Sequence, residues 1–412
     1  MVFSSSMCCL LLLYIVIVVS FISPINSLKT QNHESVNQTF RSEQELQKLK
    51  KIIATRLRQI NKPAVKTIQV PDGDIIDCVL THKQLAFDHP LLKGQKPMVL
   101  PQSLREENQI GNVSDHFQLW SLSGESCPEG TIPVRRVTEQ DMLRAYSIDS
   151  FGRKPSNQYF RPHEHAVAIV SGDKYFGAEA TFSVWNPHLE VQNEFSLSQM
   201  WVSSGTDGKD LNSIEAGWHV YPHLYGGDNR VRFFIYWTAD AYKTTGCYNL
   251  ACPGFVHTSK KISIGGGFTN CSSYNGKQYY FTIKIVKDKN TGNWLLIYGD
   301  EHIVGYWPAT LFTLLKHNAD NINFGGEIVN GNSRGSHTST AMGSGHFAEE
   351  GFGKAAYIRN MKVIDSDSNL IPLNKPIFVA SNPDCYNIKG NTGSNWGDYM
   401  YFGGPGKSDK CP

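Results

Sequence analysis

The sequence lacks any strong imbalance of charge. Its 39 Lys and Arg stand against 37 Asp and Glu, a formal +2 over 412 residues. A protein that grips nucleic acid by neutralising phosphates needs a basic excess, so nucleic acid is not an expected partner. Charged residues are scarce at 18%, whereas 40% of the chain is hydrophobic and 11% aromatic. That content buries a large core and excludes global disorder. Helical periodicity is nearly absent beyond residue 128, and no repeat of solenoid or propeller period occurs. HExxH, Asp-Thr/Ser-Gly, CxxC, a papain-like cysteine context, GxxxxGK[ST] and GxGxxG are all missing. Their absence removes the helical zinc peptidases, the aspartic peptidase loop and the common nucleotide cradles. No cofactor and no metal is expected.

Long apolar runs are confined to one place, Cys8 to Ile22, which is shorter than the ~20 residues of a comfortable membrane span. Pro24 and small or polar residues up to Ser27 follow it. Residues 1–27 read as a secretory signal peptide, which predicts a secreted, extracellular protein with no membrane segment after cleavage. Secretion makes the remaining seven cysteines disulfide candidates. Cys247 and Cys252 are close enough for a local staple, and Cys411 has Cys385 as its nearest partner in sequence. Cys78 and Cys127 are then free to pair, which leaves Cys271 alone. Three N-glycosylation sequons suit the same compartment, at Asn37, Asn112 and Asn270.

Ser42-Glu-Gln-Glu45 spells a capping box, and Leu46, Leu49, Ile53, Leu57 and Ile60 follow it at helical spacing until Asn61-Lys-Pro63. Residues 41–62 carry seven basic and two acidic side chains. A turn at Val70–Gly73 and a strand over Asp74–Val79 come next. Residues 28–125 therefore form a small α+β appendage. From residue 126 to 412 the texture is one of short β-branched and aromatic runs between Gly, Asn and Asp turns, such as Ala178–Val184 and Val231–Thr238. Strands at this spacing predict an all-β domain, a large antiparallel sandwich or barrel.

Two segments stand out in that domain. In Asn212–Pro222, Glu215 shares a strand face with Gly217 and His219. In Asn323–Asn330, Glu327 shares a face with Asn323 and Gly325. A glutamate in a mid-strand apolar setting is costly to bury unless paired or functional. Residues alone leave two readings open: solvent-facing or salt-bridged glutamates, and a working carboxylate pair. His163 and His165 share a strand face and suit a metal only if a third ligand joins them; a structural pair is the simpler reading.

The order of motifs resembles the neprosin family of secreted plant glutamic endopeptidases with a preference for proline. The matching residues are Ser213–Trp218, Tyr236-Trp-Thr238, Thr245–Asn249 with Cys252 and Gly254-Phe-Val256, Gly292–Leu295, Gly305–Pro308 and Gly325-Gly-Glu327. Upstream, Asp72–Val79 and Phe87–Leu92 resemble its activation peptide, and Gly130–Arg136 the entry to its catalytic domain. The resemblance implies a two-sheet antiparallel β-sandwich, a propeptide over 28–125 and a catalytic domain over 126–412. It implies a catalytic pair at Glu215 and Glu327 and cystines Cys247–Cys252 and Cys385–Cys411. Glu301 lies outside the matching motif. Amide hydrolysis by two carboxyls sharing one proton favours acid pH. The expected partners are a proline-containing protein or peptide substrate and the chain's own propeptide, on a monomer. Trp218, Tyr221, Trp237, Tyr306 and Trp307 are candidates to line a slot for proline. The basic helix over 41–62 is expected to latch the carboxylate cleft. Two rival classes remain: a glycoside hydrolase with paired glutamates, and a non-catalytic cell-wall or glycan-binding module.

Overall fold

A computed structural model describes residues 43–98, 117–145, 147–154, 162–331 and 336–412. The signal-peptide reading and the sequons Asn37 and Asn112 lie outside the described residues. The described chain is mostly strand, as composition and turn spacing predict.

Helix α1 spans Glu43–Ile60 and ends where Pro63 removes a backbone donor. Ile53 and Ile60 are its buried residues. Two hairpin strands follow, β1 (Ala64–Gln69) and β2 (Ile75–Leu80), and β3 (Thr131–Arg135) completes a three-stranded antiparallel sheet in the order β1-β2-β3. The cystine Cys78–Cys127 and Trp120 lie in the small core of this sheet. A boundary at residue 125 would therefore divide one sheet, because β3 lies beyond it. A short helix α2 (Glu139–Leu143), not foreseen from the sequence, carries a capping box between Thr138 and Asp141.

The remaining strands build two large antiparallel sheets. The six-stranded sheet contains β4 (His163–Tyr175), β6 (Ser196–Ser204), β7 (Asn212–Val220), β8 (Arg232–Thr238), β13 (Ala319–Val329) and β16 (Ile377–Ala380), in the order β16-β4-β13-β6-β7-β8. The nine-stranded sheet contains β5 (Gly177–Ser183), β10 (Tyr280–Lys287), β11 (Trp294–Tyr298), β12 (His302–Trp307), β14 (Ala356–Ile364), β17 (Asn387–Ser394) and β18 (Gly397–Gly403), with short β9 (Val256–His257) and β15 (Leu370–Pro372) at its margins. The stretch Pro308–Leu315 makes only a 3-10 turn, over Ala309–Leu311.

Alternation along each strand assigns the faces. Met200, Val202, Ile214, Ala216, Trp218, Ile235, Trp237, Ile322 and Phe324 point from the six-stranded sheet into one core, which Ala180, Phe182, Ile283, Ile285, Leu296 and Ile358 enter from the other. This is the sandwich packing of two pleated sheets. The opposite face of β6 and β7 is not bare. Every residue of both strands is buried, so further chain covers that face as well.

An ionic cluster joins the small sheet to the large one. Asp74 takes Arg232 (2.6 Å) and Arg135 (2.9 Å), Arg135 also meets Asp141 (3.1 Å), and Arg230 pairs with Asp72 (2.8 Å). Burial pushes the Asp74 carboxyl up, but the Arg232 and Arg135 guanidinium charges outweigh it and hold the group below its ordinary value.

Among the described residues there are three cystines, Cys78–Cys127, Cys247–Cys252 and Cys385–Cys411, and Cys271 is a half-buried free thiol whose titration burial pushes up to about 11. The cystine Cys385–Cys411 fixes the C-terminal hairpin of β17 and β18 across a sequence separation of 26. Replacing both cysteines by Ala should destabilise the chain by roughly 3 kcal/mol on the chain-entropy model. Denaturant unfolding followed by fluorescence reads that loss; an unchanged midpoint would show that strand pairing alone secures the hairpin.

Candidate active site

The register of three neighbouring strands brings the two glutamates together. On β6, Trp201 lies opposite Glu215 of β7, and Leu197 lies opposite Glu327 of β13. Gln199, between them on β6, lies opposite Gly217 on one side and Gly325 on the other. Residues two apart share a face, so Glu215, Gln199 and Glu327 project from one face, away from the sandwich core. The glutamates stand at opposite corners around Gln199. All three are buried, with Glu215 and Gln199 at 0% exposure and Glu327 at 2%.

The glycines beside the carboxylates are points of close approach. A Cβ on Gly217 would stand 2.7 Å from Gln199 Cβ and 2.1 Å from Ser198 O. One on Gly325 would meet Ala166 O at 2.3 Å and Val167 Cγ1 at 2.6 Å. Here glycine lets the strands and the Gln199 side chain close up.

Glu215 is the more richly bonded carboxylate. Tyr242 Oη donates to its Oε1 (2.8 Å), Ser213 Oγ to Oε1 (3.3 Å), Gln199 Nε2 to Oε2 (3.2 Å) and Lys154 Nζ to both oxygens (3.3 and 3.0 Å). The Lys154 ammonium also lies over the rings of Tyr236 and Tyr242, at 4.8 and 4.4 Å from their centroids. Burial and the Glu215 carboxylate push the Tyr242 phenol well above its ordinary value, so it remains a donor.

Tyr242 reaches Glu215 through a strained turn. Ala241 and Tyr242 both have positive φ, 56° and 61°. Such residues cost about 1–3 kcal/mol each and need over-determined surroundings. Asp240 supplies them: its carboxylate accepts from the backbone of Lys243, Thr244 and Thr245 and from both threonine hydroxyls. Tyr242 N donates to Thr238 Oγ1 (2.9 Å).

Glu327 has fewer partners. His163 Nδ1 lies 2.5 Å from its Oε1, and His165 Nε2 lies 3.8 Å away. Burial pushes this carboxyl up, yet the His163 hydrogen bond and the charges of His165 and Lys154 outweigh burial and hold it at about 2. The histidines predicted to share a face do so, and they face a glutamate. The metal-like grouping of His337, Cys385 and Cys411 has its two sulfurs bonded to each other, which removes them as ligands.

The aromatic candidates for a proline slot mostly lie elsewhere. Trp218 and Trp237 are buried on the core face, where Trp218 Nε1 donates to Ser183 O (2.8 Å). Tyr306 and Trp307 belong to β12 of the other sheet, where Trp307 packs on Phe255. Among the five, Tyr221 alone continues the parity of Glu215, with Phe195 and Tyr248 in edge-to-face contact with its ring. The aromatic residues beside Glu215 are Trp201, Tyr236 and Tyr242, none of them among those five candidates. Lys154, Gln199 and Tyr242 were missed because each reaches the site by register or by a loop. Ser213, two residues from Glu215, was visible in principle. Asn270 is exposed, as a glycosylation acceptor requires.

Comparisons with known proteins identify the family. The Neprosin family model matches residues 192–405, and the Neprosin activation peptide model matches 67–176. The chain belongs to the Neprosin family. An activation peptide ahead of that domain marks a peptidase made as a precursor. Among solved structures, Scytalido-glutamic peptidase with a peptide-based transition state analog is 14% identical, covering 60% of this chain and 100% of its own, at a TM-score of 0.33. SCP-B, a member of the Eqolisin family of peptidases, is 13% identical over the same shares, at 0.32. Toad ovary galectin with thio-digalactose is 8% identical, covering 40% of this chain and 91% of its own, at 0.21. Scores this low carry no argument about the site.

The low value of Glu327 gives a test of this geometry. Its folded-state pKa lies below the unfolded value of ~4.3, so it stabilises the fold above that pH and ceases to as pH falls through about 2. His163→Phe removes the donor while the burial remains. The Glu327 carboxyl should then titrate at least about one unit higher, read by carboxyl carbon NMR. An unmoved titration would show that His163 does not hold the charge.

Proposed function

We propose that this chain is the precursor of a secreted glutamic endopeptidase that cleaves next to proline at acid pH, with Glu215 and Glu327 as its catalytic pair. The observation that supports it most is the placement of two buried glutamates on one face, one strand apart, in a chain of the Neprosin family.

Glu327, held as a carboxylate by His163, is the base. It takes one proton from water as the water oxygen bonds to the peptide carbonyl carbon. Glu215, carrying the pair's single proton, passes it to the carbonyl oxygen. On collapse the C–N bond breaks, Glu327 returns its proton to the leaving nitrogen, and Glu215 regains its own from the hydroxyl. Trp201, Tyr236 and Tyr242 offer flat surfaces beside Glu215 on which a proline ring would pack.

The precursor is restrained by Lys154. Its ammonium bonds both oxygens of Glu215 from within the segment that the activation-peptide model covers. A cut between Lys154 and β4 frees it, which extends the activation segment past residue 125. The basic helix expected as the latch has its Arg56 and Arg58 bonded within the helix, to Gln59 and Thr55. The ionic clamp has the opposite polarity to that expectation: Asp72 and Asp74 come from the activation segment, Arg230 and Arg232 from the Neprosin domain.

Two measurements test this reading. Glu215→Gln and Glu327→Gln should each lower kcat on a proline-containing peptide by at least about a thousandfold, with the double variant little worse, because residues that act as a unit are non-additive. Either single variant within a few-fold of wild type would refute the pair. Lys154→Met should make the intact chain, checked by gel, cleave on the order of tenfold faster than the intact wild-type chain. Equal silence of the two would place the restraint elsewhere.

A further inference from the structure

Gln199 is not yet accounted for by the mechanism. Its side chain sits at the centre of the glutamate face, fully buried, between the glycines of β7 and β13. Its Nε2 donates to Glu215 Oε2 at 3.2 Å. Its Oε1 is also buried and meets no donor among the described residues. A buried amide oxygen left without a donor is destabilising, and such orphans in native proteins call for an explanation. An apolar side chain of the same size, such as Met, would fill the space without that cost. The position keeps an acceptor with the two carboxylates at its corners.

We propose, resting on the peptidase reading, that Gln199 is a third member of the catalytic set. Its nitrogen fixes Glu215, and its carbonyl oxygen accepts the second hydrogen of the water whose first is taken by Glu327. A water with both hydrogens directed in this way presents an oxygen lone pair to the peptide carbonyl. Amide is the right chemistry for the place. It donates to one side and accepts from the other without adding a charge to a site that already faces Glu215, Glu327, Lys154, His163 and His165. A carboxylate there would accept on both sides and repel Glu215. A hydroxyl on a shorter side chain would not span the distance between a carboxylate and a water.

The test uses the full chain after acid activation and a proline-containing fluorogenic peptide, with kcat and KM measured across pH and thermal unfolding recorded beside them. Gln199→Met should lower kcat on the order of 10²–10³-fold, the loss typical of one misplaced polar group at a reacting centre, with KM and the unfolding midpoint nearly unchanged. Gln199→Glu is the conservative variant. Only its protonated form is both donor and acceptor, so its activity should be confined to the acid side of the wild-type profile. Should the Met chain fail to fold, the Glu profile carries the test alone. A Met variant within about threefold of wild type, or a Glu variant with an unshifted profile, would overturn the proposal while leaving the peptidase reading in place. A wild-type chain that cleaves nothing would instead overturn the reading on which the proposal rests.

Discussion

Two carboxylates buried on one sheet face are the constraint that the neighbouring structure has to meet. An ionised carboxylate out of water is costly by several kcal/mol unless donors replace the lost hydration. Around Glu215 that replacement is nearly complete, with phenol, hydroxyl, amide and ammonium all donating. Around Glu327 it rests largely on His163. In the proposed mechanism this asymmetry separates their roles. The lightly bonded carboxylate has lone pairs open to a water, while the heavily bonded one is fixed in place. The strained Ala241-Tyr242 turn, the close approach at Gly217 and the Lys154 contact each bring a donor to Glu215.

The fold was largely legible from the sequence, because strand alternation and turn residues are local signals. Runs such as Val231–Thr238 and Ala178–Val184 appear as β8 and β5 with boundaries shifted by at most a residue. The two glutamates were legible as well, since a carboxylate between apolar neighbours violates the local pattern. Their spatial relation was not. It depends on β6 lying between β7 and β13, and β13 joins from more than a hundred residues away. The aromatic candidates show the same limit. Trp218 and Trp237 alternate out of phase with Glu215 and Tyr236, so parity places them in the core. Nearness in sequence to a catalytic motif is a poor guide on a strand, where adjacent residues face opposite ways.

A net-charge count is a coarse guide to which ion pairs form. Counting residues gave a basic helix and a neutral domain, which suggested a basic latch on an acidic cleft. The contacts that the structure records are fewer and more local. Asp72 and Asp74 meet Arg230 and Arg232 at the edge of the six-stranded sheet, and a single lysine meets Glu215. Net charge sums over exposed side chains that contribute little. The consequential pairs are the buried ones, and a composition count does not reveal burial.

These pairs differ in how they respond to acid. The Asp74 carboxyl is held below its ordinary value by two arginines, so protonation dismantles that clamp only once pH falls through the lowered value. The Glu327 carboxyl is likewise held low, which keeps a base available in the same acid range. Lys154 bears on neither of those carboxyls through a hydrogen bond; its bonds are to Glu215. Mild acid would therefore leave the clamp and the base intact. In the proposed activation, chain cleavage beyond Lys154, rather than loss of the clamp, is therefore the step that separates the ammonium from the site. The clamp and the restraint lie on different stretches of the same segment, so on that proposal the segment stays docked through its aspartates while Glu215 is freed.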